Sequence, residues 1–425
     1  MTGRYWIETL GCPKNEVDSA KLAGSLIADG YEAASSVEQA DIVVVNTCAF
    51  IEAAREESIE TILQLAQARH KGARLVVTGC LAARSGPELA DALPEVDAVT
   101  DIGVPVQLSA GPRFRKAAPA VSLSLMEFAR PPAEAPWAYV RVAEGCDRAC
   151  GFCAIPSFRG PQRSRPMESI LREVDELGVR EIILVSQDLA SYGRDLGYSH
   201  GLDALVAEVA KRTTRVRLLY LYPSALTDRL TNTILSTGVP YFDLSLQHVS
   251  VPQLRRMRRW GRGERFLERI EYIRTLEPTA AFRSNFIVGY PGETEEDHDQ
   301  LLEFIETSRL DWVGLFAYSE EDGTYGVGLG EKVPSALAME RLREANALAE
   351  QITAELRSNL VGSTQTLLVD RAGVARSHRE APDIDGVVHV DTDFAPGGFI
   401  DAVVTEAEGP DLTAVVLQRA EVMMA

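Results

Sequence analysis

The sequence predicts an α/β protein in three parts: an N-terminal doubly wound parallel-sheet domain, a central open (β/α)6 barrel, and a small all-β barrel at the C-terminal end. Three observations lead there. RYWIETLGC, ADIVVVNTC and ARLVVTGC are short apolar, β-branched runs that each end in a cysteine and alternate with helical stretches. Between Tyr139 and Ser319 six further strand candidates alternate with helices. Beyond residue 361 the pattern changes to short strands broken by Gly, Pro and Asp, the composition of a small β barrel.

In the first part, residues 1–107, DSAKLAGSLIADG sets Leu22 and Leu26 on one helix face and ends at Gly30. In the next helical stretch Ile59, Ile62, Leu63 and Ala66 follow the i, i+3, i+4, i+7 spacing of a buried face, with Gly72 as the stop. Strand and helix in strict alternation with short links imply parallel strands. The carboxyl ends of such strands share one edge, where ligands bind. Cys12, Cys48 and Cys80, spaced 36 and 32 residues apart, are therefore expected to converge. A buried core cysteine at one strand end would be unremarkable, but three at equivalent positions argue for a site.

A Pro/Ala-rich stretch follows (GPRFRKAAPAV, then RPPAEAPW), and 108–136 reads as an extended linker. The barrel, 137–358, draws on YVRVAEG, EIILVSQD, RVRLLYLYP, YFDLSLQH, FRSNFIVGY and WVGLFAYS. Six units are too few for a full eight-fold barrel and suit an open one, with active groups at the carboxyl ends of the strands. Cys146, Cys150 and Cys153, in EGCDRACGFCAIPSFRG, follow the first of them. A long helix from about 336 to 360 leads to the tail, 361–425, with strand candidates LLVD, GVVHVDTD, FIDAVVTEAEG and LTAVVLQRAEV.

The six cysteines thus divide into two sets of three, with none left over. Iron–sulfur cubes are held by thiolates and normally use four, so three leave one iron open. Zinc would want a fourth protein ligand, and the nearest histidines to the tight triplet are His70 and His200. MTGRYWIETLGC has neither a basic nor an apolar leader region, and no apolar run approaches a membrane span of about 20 residues. The expected location is the cytoplasm, without membrane contact, where disulfides are rare. A net charge of −19 counts against unaided nucleic-acid binding and favours a basic protein partner. The tail alone carries eleven acids against four arginines, a balance of −7.

The Cys-x-x-x-Cys-x-x-Cys spacing, with Phe152 before the last cysteine, resembles the radical S-adenosylmethionine (SAM) superfamily. The whole chain resembles the methylthiotransferases within it, which join a three-cysteine domain to a radical SAM barrel and a TRAM barrel. The resemblance rests on TLGCPKNEVDSA, NTCAFIEAAREESIETIL, EGCDRACGFCAIPSFRGPQRSRP, VSQDLASYG, LSLQHVS and FIVGYPGE. It is closest to the branch that modifies ribosomal protein S-twelve; relatives acting on transfer RNA usually show Gln-Met-Asn where this chain has Pro-Lys-Asn. YPSALTD and YSEEDGT depart from that branch's usual loops.

The resemblance implies two [4Fe–4S] clusters. One, on Cys146, Cys150 and Cys153, would bind SAM and cleave it to a 5′-deoxyadenosyl radical. The other, on Cys12, Cys48 and Cys80, would present sulfur that a second SAM methylates. The implied reaction replaces a β-carbon hydrogen of one aspartate of the ribosomal protein, free or in the small subunit. Electrons would come from a donor such as flavodoxin or ferredoxin. Methylthiolation of an adenosine in transfer RNA is the alternative, which the acidic tail opposes. A non-catalytic iron–sulfur carrier is a second alternative, and it leaves the six-unit barrel unexplained.

Gln187 and Asp188 end the second barrel strand, Gln247 ends the fourth, and Arg283 and Asn285 lie on the fifth. SAM offers a carboxylate, an ammonium and a ribose, so Gln187, Gln247 and Arg283 are candidate contacts; strand-end hydrogen bonding is the equal alternative. Arg159, Arg163 and Arg165 are read as contacts to SAM, substrate or the first domain, or else as a solvated loop. LRRMRRWGRGERF reads as an exposed helix face or a local RNA contact, and His248 as a hydrogen-bonded residue rather than a ligand.

Overall fold

The computed structural model describes residues 3–102, 104, 106, 114–115, 125–391 and 394–419, the last two without their side chains. Its first sheet contains β1 (Arg4–Thr9), β2 (Glu32–Ala33), β3 (Ile42–Thr47), β4 (Arg74–Gly79), β5 (Ala98–Thr100) and β6 (Phe114–Arg115). All pair in parallel, in the order β2-β1-β3-β4-β5-β6. The central β3, IVVVNT, is buried at every position, as a parallel strand covered on both faces must be. Its Ile42 and Val44 join the core that holds helix α1 (Pro13–Ala28), through Val17, Leu22 and Leu26. Val43 and Val45 join the opposite core, under α2 (Glu52–Ala68) and α3 (Cys80–Ala92).

Helix α2 differs from the expected face. Ser58 and Ile62 are its buried positions, Leu65 and Ala66 pack beside them, and Ile59 is exposed. The reason is polar: Ser58 Oγ accepts from Cys48 N and donates to a neighbouring carbonyl, so the helix turns a hydroxyl toward the cysteine loop. The stretch 108–136 is also less of a linker than expected. Phe114–Arg115 adds an edge strand, and Leu125 and Met126 are buried in the core under α1. Apolar side chains spaced through a Pro/Ala-rich segment are enough to pin it. The rest of its first half, 108–113 and 116–124, lies outside the described residues.

The barrel strands are β7 (Trp137–Arg141), β10 (Glu181–Val185), β11 (Arg215–Leu218), β12 (Tyr241–Gln247), β13 (Ala281–Val288) and β14 (Trp312–Ala317). They form two parallel halves, β7-β10-β11 and β12-β13-β14, joined by a bridge between Leu221 and Leu244. Between β7 and β10, the short β8 (Ala143–Glu144) and β9 (Arg163–Ser164) pair antiparallel. Val140, Ile182, Leu184, Val216, Phe242 and Phe282 pack outward on the helices. Their alternates Tyr139, Ile183, Val185, Tyr241 and Ala281 face the other way, into a core shared with the first domain.

The tail closes into a barrel of β15 (Thr364–Arg371), β16 (Val374–Arg376), β17 (Val388–Val390), β18 (Phe399–Glu408) and β19 (Asp411–Arg419). The three-residue β16 has no apolar run to announce it. Buried ion pairs join this barrel to the central one. Glu181, which also accepts from Arg217 Nε of its own barrel at 2.8 Å, accepts from Arg376 Nη1 at 3.0 Å, and Arg357 meets Glu380; the half-buried Arg379 meets Asp311 at 2.9 Å. Asp370, Glu380 and Asp385 are therefore spent inside the junction and do not contribute to an acidic surface. Asp383, Asp391, Glu406 and Glu408 remain exposed. Among the described residues no helix is long and apolar enough to cross a membrane.

His248 is fully buried, and its Nδ1 accepts from Ser250 N at 3.1 Å. Burial pushes its pKa down to about 4 from 6.5. The unfolded chain binds a proton there that the folded chain refuses, so stability falls as pH drops from 6.5 toward 4. Urea midpoints at pH 7 and pH 5 should therefore diverge less in His248→Gln than in the native chain. Glu181→Ala leaves two buried guanidiniums facing each other and should cost about 3–5 kcal/mol, read as a lowered Tm with early proteolysis in the tail.

Candidate functional site

The loop carrying Cys146, Cys150 and Cys153 runs between β8 and β9, past the carboxyl end of β7. Gly145 opens it at φ 78, where a Cβ would collide with the Pro161 carbonyl, so only glycine fits. Backbone bonds seat the loop: Cys146 N to Gly160 O at 3.1 Å, Gly151 N to Met257 O at 2.8 Å, and Gly326 N to Gly151 O at 2.7 Å. Phe152 packs with Met257, Ile287 and Tyr290. The thiols face a cavity of about 550 Å³ that Arg148, Arg258 and Tyr325 also line. Arg259 Nη1 donates to Cys150 Sγ at 3.3 Å, and Arg148 N to Cys146 Sγ at 3.4 Å.

Cys12 caps α1 just past β1, Cys48 follows β3, and Cys80 opens α3 directly after β4. The pairings Thr9↔Asn46 and Thr47↔Gly79 lay the three strand ends side by side. A Cβ on Gly11, at φ 96, would stand 2.9 Å from Cys48 Sγ. Asn15 Nδ2 donates to Leu10 O at 2.7 Å and Thr47 O at 3.2 Å, tying two of the loops together. The convergence expected from topology is present.

Both sets are free thiols. Burial pushes Cys48 and Cys146 up to about 11 and Cys153 up to about 12, with neighbouring cysteines adding to each. Thiols held that high become thiolates at neutral pH only against a bound cation. Cys12 goes the other way: burial raises it, but Lys14, Arg159 and backbone N–H groups outweigh that. Among the described residues no three His, Cys, Asp or Glu side chains stand close enough to share a single ion. A cube takes each thiolate at a different corner and needs no such contact.

Between the two sets lies a buried ionic network. Arg141 meets Asp18 Oδ2 at 2.7 Å and also pairs with Glu144. Arg159 Nη1 reaches Glu144 Oε1 at 3.1 Å, and its Nη2 reaches Cys80 Sγ at 3.1 Å and Asn15 Oδ1 at 3.2 Å. Lys14 stacks 3.5 Å over the Tyr220 ring. These three cations outnumber the two carboxylates by one, which suits a thiolate-bound cube carrying a net negative charge.

The three candidate SAM contacts separate. Gln187 Nε2 donates to Glu144 Oε1 at 3.2 Å, beside the cysteine loop. Gln247 ends β12 at φ 73, after a register shift; a left-handed non-glycine costs about 1–3 kcal/mol and clusters at functional sites. Arg283 sits near the amino end of β13, away from the carboxyl ends of the strands, with Asp243 at 3.2 Å and Asp385 of the tail at 3.5 Å. Two carboxylates already hold its guanidinium, so the geometry gives it a junction role. Arg165 is likewise buried on Glu173 at 2.8 Å. Sequence reasoning passed over Arg259, lost in an arginine run, and Asp18, Arg141 and Glu144, which look like ordinary helix and strand residues.

Residues 4–101 match the uncharacterized protein family UPF0004, 140–305 the radical SAM superfamily, and 361–417 the TRAM domain. A Salinispora tropica protein named ribosomal protein uS12 methylthiotransferase RimO is 41% identical, over 97% of this chain and 95% of its own. Its Streptomyces coelicolor namesake is 40% identical over 96% and 95%. The solved cobalamin-dependent SAM radical enzyme OxsB is a distant likeness, with TM-score 0.46, 13% identity, and 82% of this chain and 56% of that one covered. The radical SAM match brings SAM and a [4Fe–4S] cluster as cofactors. The chain belongs to the radical SAM methylthiotransferases, in the family whose curated members bear the name ribosomal protein uS12 methylthiotransferase.

Proposed function

We propose that this enzyme places a methylthio group on the β-carbon of an aspartate of ribosomal protein uS12, using two SAM per product. Cys146, Cys150 and Cys153 hold the SAM-binding cluster, and Cys12, Cys48 and Cys80 hold a second [4Fe–4S] cluster. The observation that carries this is the convergence of two separate free-thiol sets at strand carboxyl ends, joined by Arg159 and Glu144. When bound, these groups supply one-electron cleavage of SAM at the first site and activated sulfur at the second.

The chain's own side chains do the positioning. Phe152 anchors the first loop in an apolar pocket and keeps water from its inner side. Arg259 and the Arg148 backbone donate to the Cys150 and Cys146 sulfurs and stabilise them as thiolates. Gln187, two residues past β10, and Gln247, the last residue of β12, are our candidates for holding polar groups of SAM. The enzyme works in the cytoplasm, with flavodoxin or ferredoxin as reductant. It takes uS12 free or within the small subunit, and the exposed acids of the tail barrel dock that basic partner.

Anaerobic turnover with SAM, sulfide and reductant, offering uS12 and unmodified transfer RNA in parallel, tests this. A gain of about 46 Da on the protein alone, one hydrogen replaced by SCH3, is expected; the same gain on adenosine alone would overturn the substrate. Cys48→Ala with Cys80→Ala should lower bound iron to about half of the native content, as loss of one of two equal clusters requires. Charge reversal belongs on Asp391, Glu406 and Glu408, since Asp393 lies outside the described residues and Asp401 is engaged by Thr366. It should weaken uS12 binding most at low salt.

A further inference from the structure

We infer that Arg159 is a positioning residue that makes the Cys12–Cys48–Cys80 site the better electron acceptor and fixes it against the SAM-cluster loop. The inference rests on the reading that those three cysteines hold iron and sulfide.

Arg159 ends the helix Ile155–Arg159, which starts two residues after Cys153. The helix is tied to the first loop, yet its guanidinium leaves that loop for the other domain. Nη2 donates to Cys80 Sγ at 3.1 Å, with Asn15 Oδ1 at 3.2 Å and Asp18 Oδ2 at 3.4 Å. Nη1 donates to Glu144 at 3.1 Å, and Glu144 lies two residues before Cys146 and accepts from Gly145 N at 3.2 Å. One planar fork thus spans the distance between a sulfur of one site and the backbone that opens the other. Arg159, Asp18 and Glu144 are all buried, so little solvent screens the charge.

A hydrogen bond to a ligating sulfur and a positive charge beside it both stabilise the more negative, reduced form, so both raise the reduction potential. The reaction needs this. A carbon radical and a methanethiolate form a thioether with one electron left over, and that electron requires an acceptor beside the new C–S bond. A cluster held on Cys12, Cys48 and Cys80 beside Arg159 would supply that acceptor. Arg259 gives Cys150 a comparable bond, but its other nitrogen goes to the Ser245 carbonyl, whereas Arg159 touches a cysteine sulfur of one site and the Glu144 carboxylate that opens the other.

The test uses full-length chain carrying Cys146→Ala, Cys150→Ala and Cys153→Ala, reconstituted anaerobically with iron and sulfide so that only the second set can hold a cluster. Redox titration followed by electron paramagnetic resonance should give a more negative midpoint for Arg159→Gln, with Arg159→Lys between it and the parent. Coincident midpoints overturn the inference. Absence of any cluster in the Arg159-bearing parent overturns both the inference and the two-cluster reading. Should Arg159→Gln fail to fold, electron–nuclear double resonance on the parent with ¹⁵N-labelled arginine decides. A coupled guanidinium nitrogen in the reduced state is expected, and its absence overturns the inference.

Discussion

Everything at the centre of this molecule depends on two arginines and two carboxylates buried where the first sheet meets the barrel. Asp18 comes from helix α1, Arg141 and Glu144 from the first barrel strands, and Arg159 from the helix after the cysteine loop. An isolated charge at that depth would be prohibitively costly, and the group survives because each member faces opposite charge at hydrogen-bonding distance. The penalty for mispairing also makes it selective. Sliding either domain by a turn would strand at least one ion, so the network defines one relative placement of the two cysteine sets.

The gross architecture was readable because it follows from chain-local patterns. Each β-branched run that ends in a cysteine became a strand with its cysteine at the carboxyl end, and all six barrel runs became strands. Convergence of Cys12, Cys48 and Cys80 needed only the rule that parallel strands share an edge. What escaped was decided by partners distant in sequence. The rotation of α2 depends on one serine finding the Cys48 loop, and Arg283 is claimed by Asp385 from another domain. Arg259 looks like its neighbours in sequence and differs only in what it reaches.

Charge gives a related lesson. The tail's formal −7 treated its acids as surface groups, yet three of them neutralise buried arginines. Junction arginines such as Arg357 and Arg376 are held by carboxylates across domain boundaries. A count of charges therefore misstates the field a partner meets, although Asp383, Asp391, Glu406 and Glu408 leave its sign unchanged.

One apolar cluster contains Val17 and Ile42 of the first domain, Tyr139 and Tyr241 of the barrel, and Ala381 of the tail. The last of these leaves the ribosome long after the first. During synthesis the N-terminal sheet therefore waits with one face bare until the barrel arrives, and the tail seals the assembly at the end. Such a chain should gain its final stability in one late cooperative step, and its early segments are natural clients for chaperones that shield open sheets.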